Sequence, residues 1–95
     1  MPMDTIEING KSFEAAAIPT PNSNILLIKT EQGFLGCGYF DIATADKLGE
    51  AVAIVTGVSN YNEMLEAKVV RMSKAASECG VIEGMSGQEA LLKLT

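Results

Sequence analysis

Gly33-Phe34-Leu35-Gly36-Cys37-Gly38-Tyr39-Phe40-Asp41 divides this chain in two. The segment reads as a central strand with glycines along it, a thiol within it and a carboxylate at its exit. Before it the sequence is strand-like, and after it mostly helical. On an extended backbone Gly36 and Gly38 share one face with Phe34 and Phe40, while Leu35, Cys37 and Tyr39 share the other. Glycine weakens a strand and marks a bulge or a close approach of something to the backbone. Either a helix or a second subunit packs against Gly36 and Gly38, or a ligand reaches the bare backbone there. The spacing is not that of a dinucleotide-binding loop, and no long helix follows at once.

Working back toward the N-terminus, Glu31-Gln32-Gly33 turns the chain. Ile25-Leu26-Leu27-Ile28 is a continuous apolar run, too short for a helix, and reads as a strand buried on both faces. Pro19-Thr20-Pro21-Asn22-Ser23-Asn24 is a loop, because two prolines bar both helix and central ladder. Lys11 to Ile18 alternates, with Phe13, Ala15 and Ala17 on one face. Asn9-Gly10 precedes it and Thr5-Ile6-Glu7-Ile8 stands before that. Asn-Gly between alternating runs is a hairpin signal, since both residues accept the positive φ of a type I′ turn.

Working forward, Asp41 can cap a short helix, Ile42 to Leu48, that Gly49 ends. Val52-Ala53-Ile54-Val55-Thr56-Gly57-Val58 reads as a β-branched strand. Ser59 or Asn60 caps the next short helix, through Met64 and Leu65, and Glu63 three residues after Asn60 gives a partial capping pattern. Val69, Met72, Ala76 and Cys79 recur at helical spacing up to Gly80, which predicts a third helix. Cys79 then lies on its apolar stripe as a small buried hydrophobe. Ser86-Gly87-Gln88-Glu89 is a capping box opening the last helix, whose Ala90, Leu91 and Leu94 face the core. A run of strands followed by a run of helices predicts one α+β domain over residues 1–95. The expected core is a mainly antiparallel sheet of about five strands with three to four short helices on one face.

Composition narrows the function classes. The chain is 47% hydrophobic over 95 residues, and a domain this small cannot hide so much apolar surface alone. A homo-oligomer interface or an exposed binding groove is expected. The net charge is −5, Arg71 is the one arginine and the lysines are scattered. Nucleic acid and anionic membranes both need a basic patch, so neither is an expected partner. No apolar run is long enough to span a membrane, and the start at Met1-Pro2-Met3-Asp4 carries no signal-peptide pattern. Cys37 and Cys79, far apart and alone, do not make a disulfide framework, which points to a reduced cytoplasm. Histidine is absent. That removes Ser-His-Asp and Cys-His catalysis and the commonest transition-metal ligand. No cofactor or metal is expected.

Two segments carry a resemblance. Asn24-Ile25-Leu26-Leu27 with Gly33-Phe34-Leu35-Gly36-Cys37-Gly38-Tyr39-Phe40-Asp41 is one. Gly84-Met85-Ser86-Gly87-Gln88-Glu89-Ala90-Leu91-Leu92-Lys93-Leu94 is the other. Together they resemble the YunC-like family of small prokaryotic proteins, a domain of unknown function. The resemblance spans almost the whole chain. It implies a compact cytoplasmic α+β domain and brings no assigned activity.

Three functions follow as expectations. The first is a homo-oligomeric small-ligand-binding or regulatory module, with Gly36, Gly38 and Asn24 as ligand-binding candidates. The second is a thiol-dependent enzyme. Cys37 would be its nucleophile, activated by backbone amides in the absence of histidine, and Asp41 its proton acceptor. The third is a structural partner of another protein. Between two glycines, Cys37 is expected to be less shielded than Cys79 and so the more reactive thiol.

Overall fold

Strand β1 (Asp4–Ile8) and strand β2 (Lys11–Pro19) form the expected hairpin, with Ile8 opposite Lys11. Asn9 and Gly10, at φ 51° and 81°, make the turn between them. The computed structural model describes residues 3–95; Met1 and Pro2 lie outside the described residues. Strand β3 (Asn24–Lys29) returns antiparallel to β2. At the next turn the Thr30 amide donates to the Gly33 carbonyl (2.8 Å), and the Gly33 amide to the Thr30 hydroxyl (3.0 Å). Strand β4 (Gly33–Gly36) follows, antiparallel to β3.

From here the chain departs from a plain meander. Helix α1 (Ile42–Leu48) carries it across to strand β5 (Ala51–Ile54), which lies parallel to β4. Asp41 caps α1 and Gly49, at φ 75°, ends it. Helix α2 (Tyr61–Glu66) starts at Asn60, whose side chain accepts the Glu63 amide at 2.8 Å. Strand β6 (Arg71–Met72) pairs antiparallel with β5. Helix α3 (Lys74–Glu78) and helix α4 (Gly87–Lys93) complete the chain, α4 with its Ser86/Glu89 capping box in place.

The described residues form an α+β fold with a six-stranded mixed sheet, in order β1 to β6, and four helices. The sequence-based expectation of about five mainly antiparallel strands is corrected in two ways. The β4–β5 pair is parallel because α1, not a tight turn, connects it. The extra strand comes from residues assigned to the third helix. Val69 and Val70 lie outside any helix, the Val70 amide donating to the Ile54 carbonyl at 2.9 Å, and Arg71–Met72 pair with β5 beyond them. Val69 and Ala76 are buried while Met72 and Cys79 are half-buried against the same core. Their recurrence records shared burial, and a strand–cap–helix sequence satisfies it as well as one helix does. Hence α3 is only five residues long.

The helices also divide between the two faces, rather than sharing one. Along β5, Ala51, Ala53 and Val55 belong to the main core with Met64 of α2, Ala76 of α3, and Ala90, Leu91 and Leu94 of α4 or its cap. Val52 and Ile54 point the other way and form a smaller core with Ala45 of α1, against which Phe34 and Phe40 pack. The main core thus lies between the sheet and α2, α3 and α4. α1 covers only the β4–β5 side of the opposite face. Ile18, Ile25 and Leu27 share that face by register and remain partly or well exposed. At the margin of the main core, the Tyr61 hydroxyl donates to Asp4 Oδ2 at 2.7 Å, tying α2 to β1. Burial, then that hydrogen bond and the Asp4 charge, push the Tyr61 pKa up to about 12.

Candidate functional site

β4 ends at Gly36, four residues earlier than its apolar pattern suggests. The chain is pulled out of the sheet there by a turn in which the Phe40 amide donates to the Cys37 carbonyl at 3.2 Å. Phe40 then folds back so that its ring meets Phe34 edge-on, centroids 5.0 Å apart. Both rings lie over Gly36, where a Cβ would come within 2.6 Å of Phe40 and 3.0 Å of Phe34. The glycine at 36 therefore makes room for two phenyl rings. β5 ends early for a linked reason. Once β4 has turned away, the Val55 amide can still reach the Gly36 carbonyl (3.0 Å), but Thr56 to Val58 have no neighbouring strand to pair with. They become loop in spite of their β-branched composition.

The two loops separate as they leave. After β4 the chain passes to α1 on one face, and after β5 to α2 on the other. Where neighbouring parallel strands part in this way, a crevice opens outside their carboxyl ends. Here it is a cleft of about 550 Å³ whose lining includes Asn24, Cys37, Gly38, Thr56, Gly57 and Ser59. Asn24 reaches it because β3 runs antiparallel to β4 and begins where β4 finishes. Its Nδ2 donates to the Ser59 carbonyl at 3.4 Å, bridging to the β5 loop. A Cβ on Gly38 would lie 3.4 Å from Thr56 Cγ2, so the two loops stand in near contact there. Among the described residues, the lining contains no Asp, Glu, Lys or Arg.

Three of the sequence-based candidates, Asn24, Cys37 and Gly38, thus meet in one cleft. Gly36 lies under the phenyl rings on the α1 side. Asp41 is engaged in capping: Oδ1 accepts the Ala43 amide (3.2 Å) and Oδ2 the Thr44 hydroxyl (3.0 Å). No hydrogen bond among the described residues links Asp41 to Cys37. The cleft residues that sequence reasoning missed are Ser23, Tyr39 and those of the β5 loop, Thr56 to Ser59. The Thr56-Gly57 step inside a β-branched run was the available signal, since glycine interrupts a strand.

Cys37 does not have the open setting expected of it. Its amide donates to the Leu26 carbonyl at 3.1 Å. Its sulfur accepts the Leu26 amide at 3.3 Å and lies 3.9 Å from the Asn24 carbonyl. The residue continues the β3–β4 ladder by one step, with sulfur as acceptor, and is 4% exposed. Glycine neighbours removed shielding along the strand, but β3 supplies it from the side. Cys79, assigned to the core, is half-buried at the C-terminal cap of α3. The order of accessibility is therefore reversed. Timed alkylation with peptide mass mapping should modify Cys79 first and leave Cys37 largely unmodified until unfolding. Modification of Cys37 ahead of Cys79 in the folded protein would contradict this geometry.

A second, larger cleft of about 690 Å³ opens where β2 begins and β3 ends, bordered by Lys11, Glu14, Lys29 and Glu31. Its charges alternate in sign, so it lacks the uniform chemistry that selects a ligand. Among the described residues, no three His, Cys, Asp or Glu side chains cluster closely enough to hold a metal ion. Among the described residues, no helix is long and apolar enough to cross a membrane.

The model of a domain of unknown function, DUF1805, matches residues 36–94, from the end of β4 to the last helix. This chain belongs to the DUF1805 family. It is 32% identical to the uncharacterised protein YunC of Bacillus subtilis (strain 168) over 93 residues, 94% of this chain and 92% of that protein. Its fold matches the crystal structure of TA1206, a protein of unknown function from Thermoplasma acidophilum. The TM-score is 0.92 at 34% identity, covering 99% of this chain and 92% of that one. The YunC-like resemblance of the two motif segments is thereby confirmed, and it extends over the sheet and helices alike. Within the DUF1805 match lie Cys37, Gly38 and the whole β5 loop; Asn24 comes from the strand before it. Neither relative carries an assigned activity in its description, and no specific function comes to this chain from them.

Proposed function

We propose that this DUF1805 domain is a homo-oligomeric module that binds a small ligand in the cleft between the β4 and β5 loops. The observation that carries the reading is the parting of α1 and α2 to opposite faces beyond a parallel strand pair. It creates a polar cleft from three separate chain segments without any ion pair to close it. Such crevices are where ligands enter sheets of this kind. The oligomeric part draws support from the half-covered second face of the sheet, where Ile18 is 38% exposed and Leu48 of α1 67% exposed. That apolar surface adds to the compositional surplus of a short chain.

Two measurements test these parts separately. Light scattering at micromolar concentration should give a multiple of the 10.0 kDa chain mass. A single-chain mass at every dilution would remove the oligomer. For the cleft, a library of small polar metabolites screened by ¹⁵N-resolved NMR should yield binders whose saturable shifts map to residues 37–39 and 56–59. If binders map elsewhere, or none is found, the cleft is not a ligand site.

A further inference from the structure

The chemistry of the cleft follows from its unused hydrogen-bonding groups. Gly38, Tyr39, Thr56, Gly57 and Val58 line it and lie outside every strand and helix. Among the described residues, their backbone amides donate to no protein acceptor. The amides next to them are all committed: Cys37 to the Leu26 carbonyl, Val55 to the Gly36 carbonyl, and Ser59 to Glu63 Oε1 at 2.6 Å. The hydroxyls of Ser23, Thr56 and Ser59, also in the lining, have no partner among the described residues. The cleft thus presents unpaired donors, beside the equally unpaired carbonyls of the same loop residues. No carboxylate side chain lines it to accept the donors, and the adjoining Glu63 carboxylate is already held by the Ser59 amide.

We propose that the cleft takes a small oxyanion, a carboxylate or a phosphate, on the backbone amides of the Gly38–Tyr39 and Thr56–Val58 loops. This rests on reading the cleft as the ligand site. Successive backbone amides in an irregular segment form an anion-binding concavity that needs no cationic side chain. Gly57, at φ 72°, puts a left-handed residue in the middle of the second loop, so the amides on its two sides need not alternate in direction as they do along a strand. Gly38 places no side chain between its loop and Thr56. Hydroxyls at Ser23, Thr56 and Ser59 add rotatable donors that adapt to either a planar or a tetrahedral anion. With no fixed positive charge in the lining, selectivity rests on the number of acceptor oxygens. Its salt dependence should be weak compared with that of a lysine or arginine site.

The test uses the full chain labelled with ¹⁵N, at constant ionic strength in chloride. Sodium acetate and inorganic phosphate are titrated separately, with acetamide as the neutral counterpart of acetate. Saturable shifts of the Gly38, Thr56, Gly57 and Val58 amides are expected, with a Kd on the order of millimolar for anions this small. Whichever of acetate and phosphate binds more tightly tells whether the natural ligand presents a carboxylate or a phosphate. Gly38→Ala, whose added methyl makes only ordinary contact with Thr56, should keep the folded spectrum and raise that Kd about tenfold. Shifts that stay linear, or match those from added chloride, would overturn the oxyanion assignment. So would saturation by acetamide or an apolar fragment alone, though the cleft would then stand as a site of another chemistry. If no probe of either charge perturbs these amides and the metabolite screen is also silent, the cleft reading falls with it.

Discussion

Gly33→Ala should destabilise the protein by about 3 kcal/mol, the upper end of what overpacking usually costs. A Cβ at this position would stand 1.7 Å from the Ala51 carbonyl oxygen and 2.6 Å from its carbon. Both are backbone atoms of the neighbouring parallel strand, so no rotamer change relieves the collision. β4 and β5 must separate at their first paired residues, Gly33 and Ala51. The turn locked by Thr30, and the hydrogen bond from the Gln32 amide to the Leu94 carbonyl (3.2 Å), would be strained as well. For a domain of this length the Tm should fall by roughly 15 °C. Urea unfolding measures the change directly. A midpoint equal to that of the wild type would mean that the strands part at little cost and that the tight contact is not a constraint on the fold.

Ser73→Ala should cost about 2–3 kcal/mol, because it leaves a buried donor without its acceptor. The Ser73 hydroxyl oxygen accepts the Val52 amide (2.9 Å) and the Ala76 amide (3.3 Å), and its hydrogen goes to the Glu50 carbonyl (2.7 Å). Ser73 is 1% exposed, so water cannot replace those bonds. One hydroxyl thus caps α3 and joins the start of β5 to the end of β6. Ser86→Ala makes the comparison. It removes an N-cap hydroxyl in a solvent-accessible setting and should cost about 1 kcal/mol. Equal losses for the two variants in chemical denaturation would show that burial adds nothing at Ser73.

Local sequence signals located most elements here wherever the deciding interaction is itself local. Asn9-Gly10 makes its turn because the two residues tolerate positive φ. Asp41 with Gly49, Asn60 with Glu63 and Ser86 with Glu89 bound their helices because each cap binds a backbone group within a few residues. These contacts need no distant partner, so they are legible in order along the chain. The third helix failed because its evidence was periodicity alone. Val69, Met72, Ala76 and Cys79 are all drawn toward the core, and apolar spacing cannot distinguish a single helix from an edge strand followed by a cap. What decided it was the proximity of β5, which offers the Ile54 carbonyl to the Val70 amide.

The candidate site shows the same division. Cys37 was singled out for its glycine neighbours, and those neighbours are real features of the strand. Its shielding, however, comes from β3, which adjoins it only through the sheet. Gly36 and Gly38 read alike in sequence and differ in space: one lies under Phe34 and Phe40, the other opens toward Thr56. Thr56 to Ser59 gave little sign of belonging with Cys37, because about twenty residues and one helix separate them.

By itself, the sequence determined the α+β class, the first hairpin, the caps and most of the apolar core, all of which depend on short-range geometry or on side-chain type. It also determined that no histidine of these 95 residues can take part in catalysis or metal binding. The tertiary structure alone decided that β4 and β5 run parallel, that α1 and α2 leave them on opposite faces, and that Asn24, Cys37, Gly38 and the Thr56–Ser59 loop border one cleft. Those outcomes depend on long-range pairing, whose free energy is shared among many backbone hydrogen bonds and buried side chains and is written at no single position.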